Sequence, residues 1–299
     1  MEFSSLNTKT HNHARSNSLP SKPHPIILQC NEHLSKLGGA NSNYDAISSL
    51  TLIHKLNILQ NLHICIEKLV QLPLTQEALV KQSQEKWVDE FLEGSLRLLD
   101  TCTATKDALL HTKECARELQ SIIRRKRGGE LEVTIEVKKF LTSRKVVRKA
   151  IFKALENLKG NTNKCILSIN NNKDYQTLAT VSLLKEVEMT TFSIFESLLN
   201  FMCGTQTKRS SWSLVSKLMN SKRVSNSSSQ GEDENEFAKV DNALELFAFN
   251  IGSKLSDVEN LQNKLVSLGS CIQDFEEGLE SLFRRLIKIR VALLNILNH

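Results

Sequence analysis

The chain has 299 residues, with 39 Lys and Arg against 33 Asp and Glu, for a net charge of +6. That length and a hydrophobic fraction of 40% suffice for one large helical domain or two small ones, and they exclude global disorder. Four prolines and eleven glycines leave room for long unbroken helices, and with only two Trp and two Tyr the core must be built from Leu, Ile and Val.

Residues 1–43 read as a disordered tail, rich in Ser, Asn and His, with Pro20, Pro23 and Pro25 and no sustained periodicity. Within it, Arg15-Ser16-Asn17-Ser18-Leu19-Pro20 matches R-S-x-S-x-P, the pattern that 14-3-3 adaptors read once the second serine is phosphorylated. A phosphate on Ser18 brings nearly two negative charges and three acceptor oxygens for an arginine cluster, while Pro20 turns the chain away. The tail also holds His11, His13 and His24, but no cysteine stands at ligand spacing, so no metal site is expected.

A helical body is expected over residues 44–204. Its first helix starts near Asp45 as N-cap, carries Ile47, Leu52, Leu56, Leu59, Leu62, Ile66 and Leu69 on one face, and stops before Pro73. Thr75 is expected to cap a short helix that runs, with a break, into a longer one striped by Trp87, Phe91, Leu98, Cys102, Leu109, Ala116, Leu119 and Ile123. Gly94 weakens that helix by roughly 1 kcal/mol. Arg124, Arg125, Lys126 and Arg127 followed by Gly128 and Gly129 are a stop signal: cations suit the negative end of the helix dipole, and glycine closes the last turn.

The next helix, about Glu130 to Lys159, has Val133, Val137, Phe140, Val147, Ile151, Leu155 and Leu158 on one side and Lys138, Lys145, Lys149 and Lys153 opposite. From Arg124 to Lys153 eleven cations stand against three glutamates. Such a helix can lie on anionic lipid or bind an acidic partner, and Arg124 to Arg127 also reads, less favourably, as a nuclear import signal. A solvated basic face is the plainer alternative. Nucleic acid is not expected as a partner, since no aromatic residues interleave with the cations as stacking platforms.

After an Asn-rich loop, Asp174 is expected to cap a helix with Leu178, Val181, Leu184, Phe195, Leu198 and Met202, ending at Gly204. Residues 205–236 read as a Ser-rich linker or mobile loop containing a short amphipathic piece from Trp212 to Met219. Residues 237–299 form a C-terminal helical segment. From Val258 an unbroken alternation of three- and four-residue steps places Leu261, Leu265, Leu268, Ile272, Phe275, Leu279, Leu282, Leu286, Ile289, Leu293 and Ile296 on a single coiled-coil-like seam. The flanking positions include Gly269, Cys271, Gly278, Phe283, Ala292 and Leu297, so the stripe is wider than a two-stranded zipper needs. Packing of the seam against upstream helices is therefore expected, with homo-oligomer formation through it the less favoured alternative.

The fold class that follows is all-α: a bundle of long helices, since no segment alternates with period two. No apolar run reaches the roughly 18 residues of a spanning helix, and the nearest, Met189 to Thr207, holds Glu196 at its middle. Seven scattered cysteines, Cys30, Cys65, Cys102, Cys115, Cys165, Cys203 and Cys271, are an odd number without a C-x-x-C, which fits free thiols in a reducing, cytoplasmic compartment. His54 and His63 read as ordinary helix-face residues. With no P-loop, G-x-G-x-x-G or G-x-S-x-G, the expected class is a non-enzymatic interaction protein without a cofactor.

Three further blocks carry a family resemblance. Leu96-Arg97-Leu98-Leu99-Asp100-Thr101-Cys102, Ile122 to Gly128, and Leu282-Phe283-Arg284-Arg285-Leu286-Ile287 through Arg290 to His299, together with the Arg15 to Pro20 motif, resemble the plant-specific Bypass-like family. The resemblance runs in order over nearly the whole chain, apart from the Asn-rich loop and the Ser-rich linker. It implies an all-helical plant protein without established biochemical activity, in a family associated with root and shoot development, and it supplies no catalytic residues.

Overall fold

In the computed structural model the described residues are 24–39, 48–81, 86–125, 130–159, 175–204, 235–249 and 255–298. Among them every regular element is an α-helix: α1 (Pro25–Gly39), α2 (Ser49–Leu69), α3 (Pro73–Lys81), α4 (Lys86–Arg125), α5 (Glu130–Lys159), α6 (Tyr175–Met202), α7 (Glu236–Phe249) and α8 (Leu255–Leu297). The all-α expectation holds.

The ends of these helices have local causes. Ser48, in extended conformation at φ −83° and ψ 158°, caps α2 by accepting a hydrogen bond from the Thr51 amide, so the start lies at Ser48 rather than Asp45. Asp45 itself lies outside the described residues. Pro73 opens α3 at a position where a missing N–H costs nothing, and Thr75 is buried inside that helix instead of capping it. Asn235 caps α7 through Oδ1, which accepts from the Ala238 amide at 2.7 Å, while its Nδ2 donates to Phe201 O and ties α6 to α7. Gly204, at φ 72°, closes α6 in the left-handed conformation.

One element departs from the sequence reading. Helix α1 lies inside the segment expected to be tail, with Cys30, Leu34 and Leu37 buried and Ile26 and Ile27 packed against the core. Its periodicity is short and sits beside three prolines. Pro25 is nonetheless compatible with helix because it occupies the first turn. The segment 1–23, including Arg15, Ser16, Ser18 and Pro20, lies outside the described residues, as do the Asn-rich loop and most of the Ser-rich linker.

The centre of the bundle is α8, which packs on α2, α3, α4 and α7. Leu261, Leu265, Leu268, Ile272, Phe275, Leu279, Leu282, Leu286, Ile289 and Leu293 are all buried, and Ile296 is partly buried against them. The seam is therefore filled from within the chain. Polar contacts on both flanks set the register: Lys106 and Lys113 of α4 pair with Glu280 and Glu276 of α8, so these two helices run antiparallel. On the other flank Gln60 donates to Gly278 O and Arg285 pairs with Glu67, so α2 runs parallel to α8. At Gly278 α2 packs directly on α8: a Cβ there would stand in van der Waals contact, 3.5 Å from the side chains of Gln60 and Leu56.

Helix α6 covers α2 and α4 and touches α5. His63, read from sequence as a helix-face residue, is buried there and bonds Thr191 Oγ1 at 3.0 Å. Because the Thr191 hydroxyl donates to Val187 O, the imidazole must donate through Nε2, and burial holds its pKa down to about 4. Cys30, Cys65, Cys102, Cys203 and Cys271 are buried free thiols and Cys115 is a half-buried one, whereas Cys165 lies outside the described residues. Burial pushes the Cys30 and Cys102 thiols up to about 12, which makes them inert core residues.

Glu188 of α6 lies over Gly94 of α4, where a methyl group would displace the carboxyl. Its Oε1 is buried without a hydrogen-bond partner, and burial raises the pKa from 4.5 to about 7 against the pull of Arg97 and Lys185. The folded state thus holds this proton more tightly than the unfolded chain. Stability is full below pH 4.5 and falls as pH rises through 7. Glu188→Gln should therefore raise the unfolding free energy at pH 8, read from urea titration, by on the order of 2 kcal/mol, and change little near pH 4. An equal effect at both pH values would contradict a buried titrating carboxyl.

Candidate functional site

Helix α5 has two chemically distinct sides. Val133, Val137, Phe140, Val147, Ile151, Leu155 and Leu158 are buried against α4, α6 and α7 as their spacing requires. Lys138, Lys139, Lys145, Lys149 and Lys153 are exposed on the other side. Lys139 is held by Glu118 and Glu136, which raise its pKa. Lys138, Lys145, Lys149 and Lys153 make no ion pair among the described residues. Arg124 and Arg125 are exposed at the end of α4, and Lys126 and Arg127 lie outside the described residues.

Two cations of the basic stretch do not belong to that solvated face. Arg144 sits in the apolar stripe, 2% exposed, and donates from Nε and Nη2 to the two carboxylate oxygens of Asp241 in α7 at 2.9 and 2.8 Å. Its Nη2 also donates to Met202 O, and its guanidinium lies 5.4 Å from the Phe237 ring centre. Arg148, one turn on, donates to Asp241 Oδ2 and to Cys203 O. Two cations thus share one carboxylate. The surplus charge is met by the carbonyls at the C-terminal end of α6, where the helix dipole is negative. The cluster joins three helices that the apolar contacts alone would leave free to slide.

The sequence held a signal for this that the basic count obscured. Arg144 falls between Phe140 and Val147 in the same three-four rhythm as the buried residues, so it had to point inward and needed a carboxylate there. The partner, 97 positions away in α7, is not legible from spacing.

Other features yield no chemistry. Among the described residues no group of three or more His, Cys, Asp and Glu is placed to hold a metal ion, and no helix is long and apolar enough to cross a membrane. Two recesses lined by described residues are open to solvent. One on the outer side of α8 is lined by Glu276, Glu277, Glu280, Ser281, Arg284, Arg285 and Lys288, whose charges are taken up by the Glu280–Arg284 pair and by Glu67, Lys106 and Lys113 of the neighbouring helices.

The fold and this site define a helical bundle closed by its own C-terminal helix, with a polar clamp inside and a lysine row outside. Residues 55–296 match the family described as Protein BPS1, and the chain belongs to this Bypass family. The family is a domain of unknown function and not a known enzyme family. None of the curated proteins and none of the solved structures matches the chain.

Removing the shared carboxylate leaves one buried and one partly exposed arginine without their ion-pair partner. Asp241→Ala is expected to cost about 3–5 kcal/mol in urea unfolding, against about 1 kcal/mol for Arg148→Ala, whose side chain is 34% exposed. Equal costs for the two would contradict the clamp.

Proposed function

We propose that this chain is a non-enzymatic regulatory or scaffold protein of a plant family linked to root and shoot development, acting through surfaces and not through a reaction. What supports the reading is the fate of the α8 seam. Its long apolar stripe, the obvious candidate for recruiting another helix, is buried inside the molecule from Leu261 to Leu293. Partners must then be engaged elsewhere.

Two surfaces remain for that work. The first is the tail motif Arg15-Ser16-Asn17-Ser18-Leu19-Pro20, which offers a phosphoserine to a 14-3-3 adaptor. The second is the lysine side of α5, which suits an anionic membrane or an acidic partner. The second reading is favoured by one observation: four of its exposed lysines have no ion-pair partner among the described residues. A cytoplasmic protein with a peripheral attachment accommodates both.

Capture of the phosphorylated full chain by an immobilised 14-3-3 protein tests the tail. Ser18→Ala should reduce capture at least tenfold while Ser16→Ala retains most of it. Unchanged capture of the Ser18→Ala protein removes the docking role.

A further inference from the structure

The outer side of α5 is not purely basic. Ile135 and Val146 are each 59% exposed, and Phe152 is 45% exposed. At about 100° per residue these three share an arc of roughly 120° with Lys138, Lys145, Lys149 and Lys153, along about 27 Å of helix axis. The exposed phenylalanine and two β-branched residues give this face apolar contact area between its cations. An acidic protein or peptide would be served by the lysines alone.

From this juxtaposition we propose that α5 is a membrane-surface device. Lys138, Lys145, Lys149 and Lys153 contact the anionic headgroups of a bilayer, and Ile135, Val146 and Phe152 enter the layer between headgroups and acyl chains. The inference rests on the reading of the lysine row as a binding surface and names its partner as an anionic lipid bilayer.

Three observations carry it. The row lies on one uninterrupted helix, Glu130–Lys159, long enough to present it to a plane. Its charge is complementary to anionic lipid, with Glu156 the one exposed carboxylate in the same arc, near the C-terminal end. The opposite side of α5 is locked by the buried apolar stripe and by Arg144 and Arg148 on Asp241, so the helix is held in place with this side outward. Long lysine side chains reach upward to phosphates while shorter apolar ones between them reach the hydrocarbon boundary. Contact does not require the bundle to open.

The test is sedimentation of the full chain with vesicles of phosphatidylcholine, with and without phosphatidylserine, at low and at near-physiological salt. Two double variants are compared with the parent, each with its far-UV spectrum and melting checked against it. The parent should bind only the phosphatidylserine vesicles. Lys145→Glu with Lys149→Glu should weaken binding by about a hundredfold or more. Val146→Ser with Phe152→Ser should weaken it by about tenfold at near-physiological salt, where insertion counts most, and less at low salt. A Phe152→Trp protein should add a blue-shifted emission component on the same vesicles.

Failure to bind phosphatidylserine vesicles at either salt overturns the proposal, and binding of polyglutamate under those conditions would preserve the lysine row as an acidic-partner surface. Vesicle binding that is lost in the lysine variant but unchanged in the serine variant overturns insertion while leaving the basic-surface reading intact. Equal binding by all three proteins removes both.

Discussion

The fold depends on one side of one helix. Buried Leu, Ile and Phe side chains recur along α8 at every third or fourth position from Leu261 to Leu293, and α2, α4 and α7 pack around them. Each such side chain stabilises the folded state by about 1.5–3 kcal/mol relative to exposure. A half-exposed ion pair such as Lys106–Glu280 is worth about 0–1 kcal/mol. The apolar seam therefore holds the bundle together, and the polar contacts beside it have another role.

That role is register. A leucine stripe can slide by a turn on its neighbours at little cost, because one apolar contact replaces another. Lys113 on Glu276, Arg285 on Glu67 and Arg290 on Leu92 O and Ser95 Oγ fail together if α8 shifts by a turn. The Arg144–Asp241–Arg148 cluster does the same for α5, α6 and α7, with a larger penalty because it is buried. Holding α5 in one orientation fixes which of its residues solvent sees. The internal clamp and the outer lysine row are two consequences of the same helix placement.

Much of this architecture was legible. The period of α8 and the width of its stripe announced a helix buried in a bundle, and the stripe of α5 placed that helix at Glu130 to Lys159, where it lies. What escaped had physical reasons. Helix α1 is short, offers few apolar positions, and is flanked by prolines that suggest a tail, although Pro25 at the first turn is harmless. Arg144 falls among the basic stretch because composition ignores direction, and the hydrogen bond of the helix-face residue His63 is not legible because its partner Thr191 lies 128 positions away. The exposed Ile135, Val146 and Phe152 were missed on the lysine side, since attention to charge hides the apolar residues between the cations.

Helix α8 completes the bundle from within its own chain. Hydrogen exchange of the full chain, followed amide by amide at concentrations spanning a hundredfold dilution, tests it most directly. Amides from Leu261 to Leu293 should be among the slowest to exchange and should keep the same protection at every concentration. Protection of α8 that falls on dilution while α4 and α5 stay protected would mean that the seam is covered by a second chain, and would contradict the account.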